Sequence, residues 1–224
     1  MVDKKQIDFW DDEKQCIRLQ ERWGDYDQYS ELNGVVIKNG EIIETNTKEF
    51  IFEVLDEIIT DKDFTLSEIG VGTGHILWYF KNKVLKLYGI DYSSLMLNLA
   101  KKQFSEYKDK TEFKEGSCWD IPYNDDSIDV LYQVDVCMHI GGSWESLKEM
   151  IRVAKEYVVF TGPSFDTFTN EMNRKIKGIS WAVSVPLLEE KLDEMIENNT
   201  IKNYKWIYRE PTKVYKHRIL VIKK

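Results

Sequence analysis

Glu68-Ile69-Gly70-Val71-Gly72-Thr73-Gly74 closes a β-prone run at 64–71 and leads directly into His75-Ile76-Leu77-Trp78-Tyr79-Phe80, a stretch compatible with a helix. Glycine lets the backbone adopt positive φ and approach a ligand with no Cβ in the way, while the first N–H groups of a following helix have no partner inside it. Each glycine inside a regular element costs about 0.5–1 kcal/mol relative to alanine, so three alternating glycines favour a cofactor loop over an ordinary glycine-rich turn. The spacing narrows the ligand. A dinucleotide fingerprint, G-x-G-x-x-G, would place its third glycine at position 75, where this chain has His75.

On either side of this loop, short β-prone runs at 64–71, 84–91, 111–116, 128–134 and 157–162 alternate with helical patterns. Phe50, Ile51, Val54, Leu55, Ile58 and Ile59 recur at helical spacing before the loop. Leu95, Met96, Leu99 and Ala100 do so in 93–104, and Leu147, Met150 and Ile151 in 144–154. Such alternation predicts a mostly parallel sheet with helices packed on it. A further helix is expected from Pro186 to about Glu197. The end of the chain reads as two strands, 204–208 and 214–222, with Glu210 and Pro211 in the turn.

Two more segments carry candidate ligand contacts. Asp91 ends the run Leu85-Lys86-Leu87-Tyr88-Gly89-Ile90-Asp91 about 20 residues past the first glycine, where a carboxylate can accept both hydroxyl protons of a ribose. It would serve equally as N-cap of the helix beginning near Ser93. The third segment is Gly116-Ser117-Cys118-Trp119-Asp120-Ile121-Pro122-Tyr123, followed by an acidic turn and the strand at 128–134.

The three segments, in this order and spacing, resemble the class I, Rossmann-like methyltransferases that use S-adenosylmethionine (SAM) and act on small molecules. An acidic residue followed by G-x-G-x-G is similar to their first motif, and 116–123 to their G-D-A-x-x-L-P-F segment. The resemblance implies an α/β sandwich whose sheet is seven-stranded and mostly parallel, with an antiparallel C-terminal strand and helices on both faces. It implies that Glu68 and the Gly70 carbonyl face the amino group of SAM, that Gly72 and Gly74 complete the loop around its methionine end, and that Asp91 holds the ribose. By the same resemblance residue 117 faces the adenine amino group and the Cys118 N–H a ring nitrogen. Ser117 stands where an aspartate is common. Trp119 either covers the adenine face or fills the core, and Tyr92 and Gln133 complete the expected cofactor contacts.

Methyl transfer from a sulfonium is an in-line displacement, so positioning in a dry pocket can supply much of the rate, and a base is needed only for a poorly ionised acceptor. His139, in Gln133-Val134-Asp135-Val136-Cys137-Met138-His139-Ile140, is the first candidate base. Asp135 is the second, and each has an ordinary structural role as its alternative. No metal is expected. The aromatic N-terminal stretch, with Phe9, Trp10, Trp23, Tyr26 and Tyr29, is read as a helical leader over 1–46, and 165–185 as a lid inserted after the fifth strand.

Composition bounds the rest. A chain of 224 residues, 42% hydrophobic, suits one domain with appended segments. With no apolar run near the roughly 20 residues of a membrane span and no secretion-type start, a cytoplasmic location is expected. Cys16, Cys118 and Cys137 fit no metal-ligand spacing and are expected as reduced thiols. A net charge of -8 with dispersed lysines disfavours nucleic acid as partner. The reading is thus a SAM-dependent methyltransferase acting on O or N of a small-molecule acceptor, of open oligomeric state. Its alternatives are a SAM-binding sensor or partner subunit without turnover and, less in keeping with His75 and the terminal hairpin, a nicotinamide-dependent oxidoreductase.

Overall fold

The computed structural model describes residues 12, 35–38, 41–44, 47–134, 136, 143–165, 183–208 and 217–224. Strands β1 (Val35–Lys38) and β2 (Glu41–Glu44) pair antiparallel as a small hairpin outside the main sheet. The helical leader expected over 1–46 is therefore corrected at 35–38 and 41–44. The β-branched Val35, Val36 and Ile37 fall in β1 and Ile42 and Ile43 in β2, with Val36 level with Ile43 and Ile37 with Ile42, a composition that suits strands better than a helix. The five leader aromatics lie outside the described residues.

Helix α1 (Thr47–Ile58) precedes β3 (Thr65–Ile69), β4 (Lys86–Asp91), α2 (Ser94–Gln103), β5 (Thr111–Glu115), β6 (Ile128–Gln133), α3 (Ser143–Val153) and β7 (Ala154–Phe165). A two-residue strand, β8 (Val183–Ser184), runs into α4 (Val185–Glu197). The chain closes with β9 (Asn203–Tyr208) and β10 (His217–Lys223). The main path is β5-β4-β3-β6-β7-β10-β9, parallel except for β10, which is antiparallel to both β7 and β9. The expected seven-stranded sheet with an antiparallel C-terminal strand is thus present.

Side chains alternate between two apolar layers. Leu66, Val130, Tyr132, Val159, Ile219 and Val221 pack under α1 with Phe50, Ile51, Val54 and Leu55. On the opposite face Ile69, Leu131, Val158, Phe160, Leu220 and Ile222 meet Leu147, Met150 and Ile151 of α3 and Leu188 and Leu192 of α4. Strands apolar on both faces are the mark of a sheet covered on both sides. Among the described residues no helix is long and apolar enough to cross a membrane.

Two elements differ from expectation. After the glycine loop there is no α-helix, only a 3₁₀ turn, Leu77–Phe80, because Leu77, Trp78 and Phe80 are all buried and the chain turns back into β4 within a few residues. Trp78 meets Phe104 edge-on at 5.0 Å, and Tyr79 stacks on Phe52 at 4.0 Å. Strand β7, expected over 157–162, extends from Ala154 to Phe165, since α3 passes into it without a loop and β6, β10 and β8 extend its pairing. Residues 166–182 of the expected lid lie outside the described residues. They leave from Phe165 and return at Val183, whose strand pairs with Ser164 and Phe165.

Candidate cofactor and acceptor site

The chain runs from β3 outward through β4 to β5, then crosses back to lay β6 on the other side of β3. This reversal of strand order opens a crevice at the carboxyl ends of β3 and β6, the usual ligand position in open α/β sheets. The glycine loop sits there. Gly70, Gly72 and Gly74 have φ of +71°, +52° and +81°. Their surroundings differ. A Cβ on Gly70 would lie 2.3 Å from Val136 Cγ2, and one on Gly74 would lie 2.8 Å from Phe104 Cε2, so neighbouring side chains fill both positions. Among the described residues a Cβ on Gly72 would meet nothing within 4 Å. Packing among the described residues therefore accounts for two of the glycines and does not fill the space at Gly72.

The loop is held from below. Gly70 and Val71 N–H both donate to the Ile90 carbonyl, at 2.7 and 2.9 Å. Asp91, buried at the end of β4, accepts from Gly72 N–H through Oδ2 (2.8 Å) and from Ser93 N–H through Oδ1 (2.9 Å). The helix-cap alternative for Asp91 is set aside, because α2 is capped by Ser93, whose hydroxyl accepts from Met96 N–H at 3.2 Å. Glu68 is buried on the α1 face. Its Oε2 accepts from Leu77 N–H (3.1 Å) and the Tyr132 hydroxyl (2.8 Å), so the carboxylate anchors the turn that replaces the expected helix. Burial and the neighbouring Glu68 raise the Tyr132 pKa well above its ordinary value and keep it a donor. Tyr132 escaped the sequence reading because it looks like any strand residue.

One strand further out, Gly116 N–H donates to the Asp91 carbonyl at 3.0 Å and Ser117 opens a tight turn. Its hydroxyl accepts from Trp119 N–H at 3.1 Å, so the group expected to face adenine also serves its own loop. The Cys118 thiol is buried and its pKa is pushed up to about 11, chiefly by burial, which leaves it inert. Trp119 is half-buried against the α3–α4 layer. Arg152 of α3 clamps the segment from behind. It donates to the Ile121 and Tyr123 carbonyls (both 3.0 Å) and to Glu149 and Asp125, while Glu149 accepts from Ile121 N–H at 3.0 Å.

On the far side of the crevice, Gln133 is buried at the end of β6. Its Nε2 donates to the Thr161 carbonyl and its Oε1 accepts from Val136 N–H at 2.8 Å, which holds the backbone at Val136 to the end of β6. Asp135 and His139 themselves lie outside the described residues. Tyr92 is half-buried beside Asp91. Among the described residues no group of three His, Cys, Asp or Glu side chains is placed to hold a metal. Val136, which closes over Gly70, and Arg218, which is buried at the carboxyl edge on β10, were not singled out from the sequence.

Residues 67–160, from β3 into β7, match the model of a family described as a methyltransferase domain. Together with the sheet order, this match gives the chain the fold of the Rossmann-like methyltransferases. More particularly, the chain is 27% identical over 117 residues to the uncharacterized methyltransferase YcgJ of Bacillus subtilis. That alignment covers 48% of this chain and 46% of YcgJ, about half the length of each. Among solved structures, the [4+2]-cyclase SpnF superposes with a TM-score of 0.73 at 13% identity, over 97% of this chain and 95% of that one. Magnesium protoporphyrin IX methyltransferase from Synechocystis PCC 6803 does so with a TM-score of 0.69 at 15% identity, over 97% of each. At such identities the likeness is one of fold, and a fold shared with a cyclase shows how little it says about the reaction.

Proposed function

We propose that this chain transfers the methyl group of SAM to an oxygen or nitrogen of a small-molecule acceptor in the cytoplasm. The observation that carries the reading is the open space at Gly72, whose N–H is tied to the Asp91 carboxylate at the point where strand order reverses. A cradle that a Cβ would enter, next to a buried carboxylate at the end of β4, suits a ligand with a diol.

In this reading Gly70, Gly72 and Gly74 shape the loop around the amino-acid end of the cofactor, with Glu68 holding the loop from beneath. Asp91 accepts from the ribose hydroxyls, with Tyr92 beside it. Ser117, the Cys118 backbone and Trp119 receive the base. SAM supplies an electrophilic methyl group when bound. The chain's part is to orient the acceptor and exclude water beyond β6 and β7, where Gln133 holds Val136 and the sequence places Asp135 and His139 on either side of it. A neutral histidine there takes the proton of an acceptor hydroxyl or ammonium. The segment 165–185, leaving and returning at β7, would close over the acceptor.

Calorimetric titration with SAM and with S-adenosylhomocysteine tests the cofactor half, and labelled-methyl transfer to a panel of hydroxylated and aminated small molecules tests the acceptor half. Saturable heat with turnover is expected. A folded sample giving no heat with either compound overturns the reading, and binding without transfer across the panel selects a non-catalytic SAM sensor instead.

A further inference from the structure

The last two residues of β6 lie beside β3, the strand that feeds the glycine loop, and they face opposite ways. Tyr132 is level with Glu68 and Gln133 with Ile69, so their side chains leave the sheet on its two faces just before Gly70. Both are buried.

On the α1 face the Tyr132 hydroxyl donates to Glu68 Oε2 at 2.8 Å, and the same oxygen accepts from Leu77 N–H at 3.1 Å. One carboxylate oxygen thus ties residue 68 to residue 77, on either side of the loop, and Tyr132 fixes where that oxygen stands. On the other face Gln133 works through Val136. Its Oε1 accepts from Val136 N–H at 2.8 Å, while its Nε2 is committed to the Thr161 carbonyl. This brings the Val136 side chain onto Gly70, where a Cβ would stand 2.3 Å from Cγ2 and 3.3 Å from Cγ1. A β-branched side chain has little rotamer freedom, so Val136 fills a fixed volume that a glycine at position 70 leaves to it. Gly70 and Val136 are a matched pair.

We propose that Tyr132 and Val136 are positioning residues for the cofactor, gripping the glycine loop from the two faces of the sheet in the conformation that receives SAM. The proposal rests on the SAM reading above. Tyr132 acts through Glu68 and Val136 through Gly70, so neither role requires contact with the ligand. A loop ordered in advance loses less entropy on binding than one that the ligand must order. Loosening either grip therefore lowers cofactor affinity, beyond any effect on the stability of the fold.

The test is calorimetric titration of the full chain with S-adenosylhomocysteine, paired with denaturant unfolding. Val136→Ala and Tyr132→Phe should each bind about 5-fold or more weakly than wild type. Leu192→Ala, a core truncation in α4, supplies the contrast: it should lose stability and keep its affinity within about twofold. Gly70→Ala alone should lose both stability and affinity, because its Cβ meets the Val136 methyl groups. Adding Val136→Ala removes both methyls and leaves the nearest remaining Val136 atom, its Cβ, at 3.4 Å. The double variant should therefore bind about 5-fold or more tightly than Gly70→Ala. Wild-type affinity in either Val136→Ala or Tyr132→Phe, even with lowered stability, overturns the proposal, as do losses that simply multiply in the double variant. Where Gly70→Ala fails to fold, the two single variants decide. Failure of the wild type to bind S-adenosylhomocysteine instead overturns the SAM reading itself.

Discussion

The two halves of the crevice are built from different materials. Over β5, β4 and β3 the crevice lining is largely backbone: a loop of positive-φ glycines, N–H groups tied to Asp91, and a tight turn at Ser117. Over β6, β7 and β10 it is side chain: Gln133 bonded to the Thr161 carbonyl, and Arg218 placed by the antiparallel return of the last strand. A backbone surface demands particular residue types at fixed spacing, whereas a side-chain surface depends on register and on which segments are inserted between strands. The first can serve one cofactor across many proteins, and the second can vary with the acceptor.

The sharpest way to break this contrast is within the glycine loop. Valine at either Gly70 or Gly72 incurs about 1–2 kcal/mol of left-handed backbone strain. At Gly70 the side chain also collides with Val136, adding about 1–3 kcal/mol of overpacking. Gly70→Val should therefore lose about 2–5 kcal/mol in denaturant unfolding. Gly72→Val should stay folded with a loss near 1–2 kcal/mol while SAM binding disappears from calorimetry. Equal destabilisation of the two, or retained SAM affinity in Gly72→Val, would contradict the assignment of Gly72 as the ligand-facing glycine.

Asp91→Ala probes the same half at its one charged contact. Removing the carboxylate leaves the Gly72 and Ser93 N–H groups without their acceptor and deletes charged hydrogen bonds to the ligand. Stability should fall by about 1–3 kcal/mol and SAM binding should weaken by about 1–3 kcal/mol, roughly 5- to 150-fold. Affinity within twofold of wild type would remove Asp91 from the site.

How much of this could be read in advance follows from the same contrast. The glycine phase at 70, 72 and 74, the carboxylate at 91 and the two-sided apolar strands were all legible, because each is a local requirement written into residue type. The helix expected at 75–80 was not, since Leu77, Trp78, Tyr79 and Phe80 have no polar face and periodicity cannot separate a buried helix from a buried 3₁₀ turn. The roles of Glu68 and Tyr132 under the loop depend on residues 64 positions apart meeting across β3 and β6. Arg218 sits in Lys216-His217-Arg218, which in sequence looks like surface charge near a basic terminus. Only the direction of β10 brings it to the crevice.

The halves are joined by a clamp whose effect is smaller and pH-dependent. Arg152 and Glu149 stand on α3, which follows the β6 loop, yet they grip Ile121 and Tyr123 in the cofactor half. Hydrogen bonding from Arg152, with help from the Ile121 N–H, outweighs burial and holds the Glu149 pKa below its ordinary 4.5. A carboxylate whose pKa is depressed on folding contributes stability above its unfolded pKa and loses it as pH falls through the folded value. Glu149→Gln should therefore melt below wild type at pH 7, by an amount equivalent to about 1 kcal/mol for a partly buried pair. That gap should begin to narrow as pH falls below 4.5, where the unfolded carboxylate takes up a proton, and close as pH passes through the lower folded value. A gap that persists unchanged well below pH 4 would mean that shape rather than charge makes the clamp, and that the two halves are coupled by packing alone.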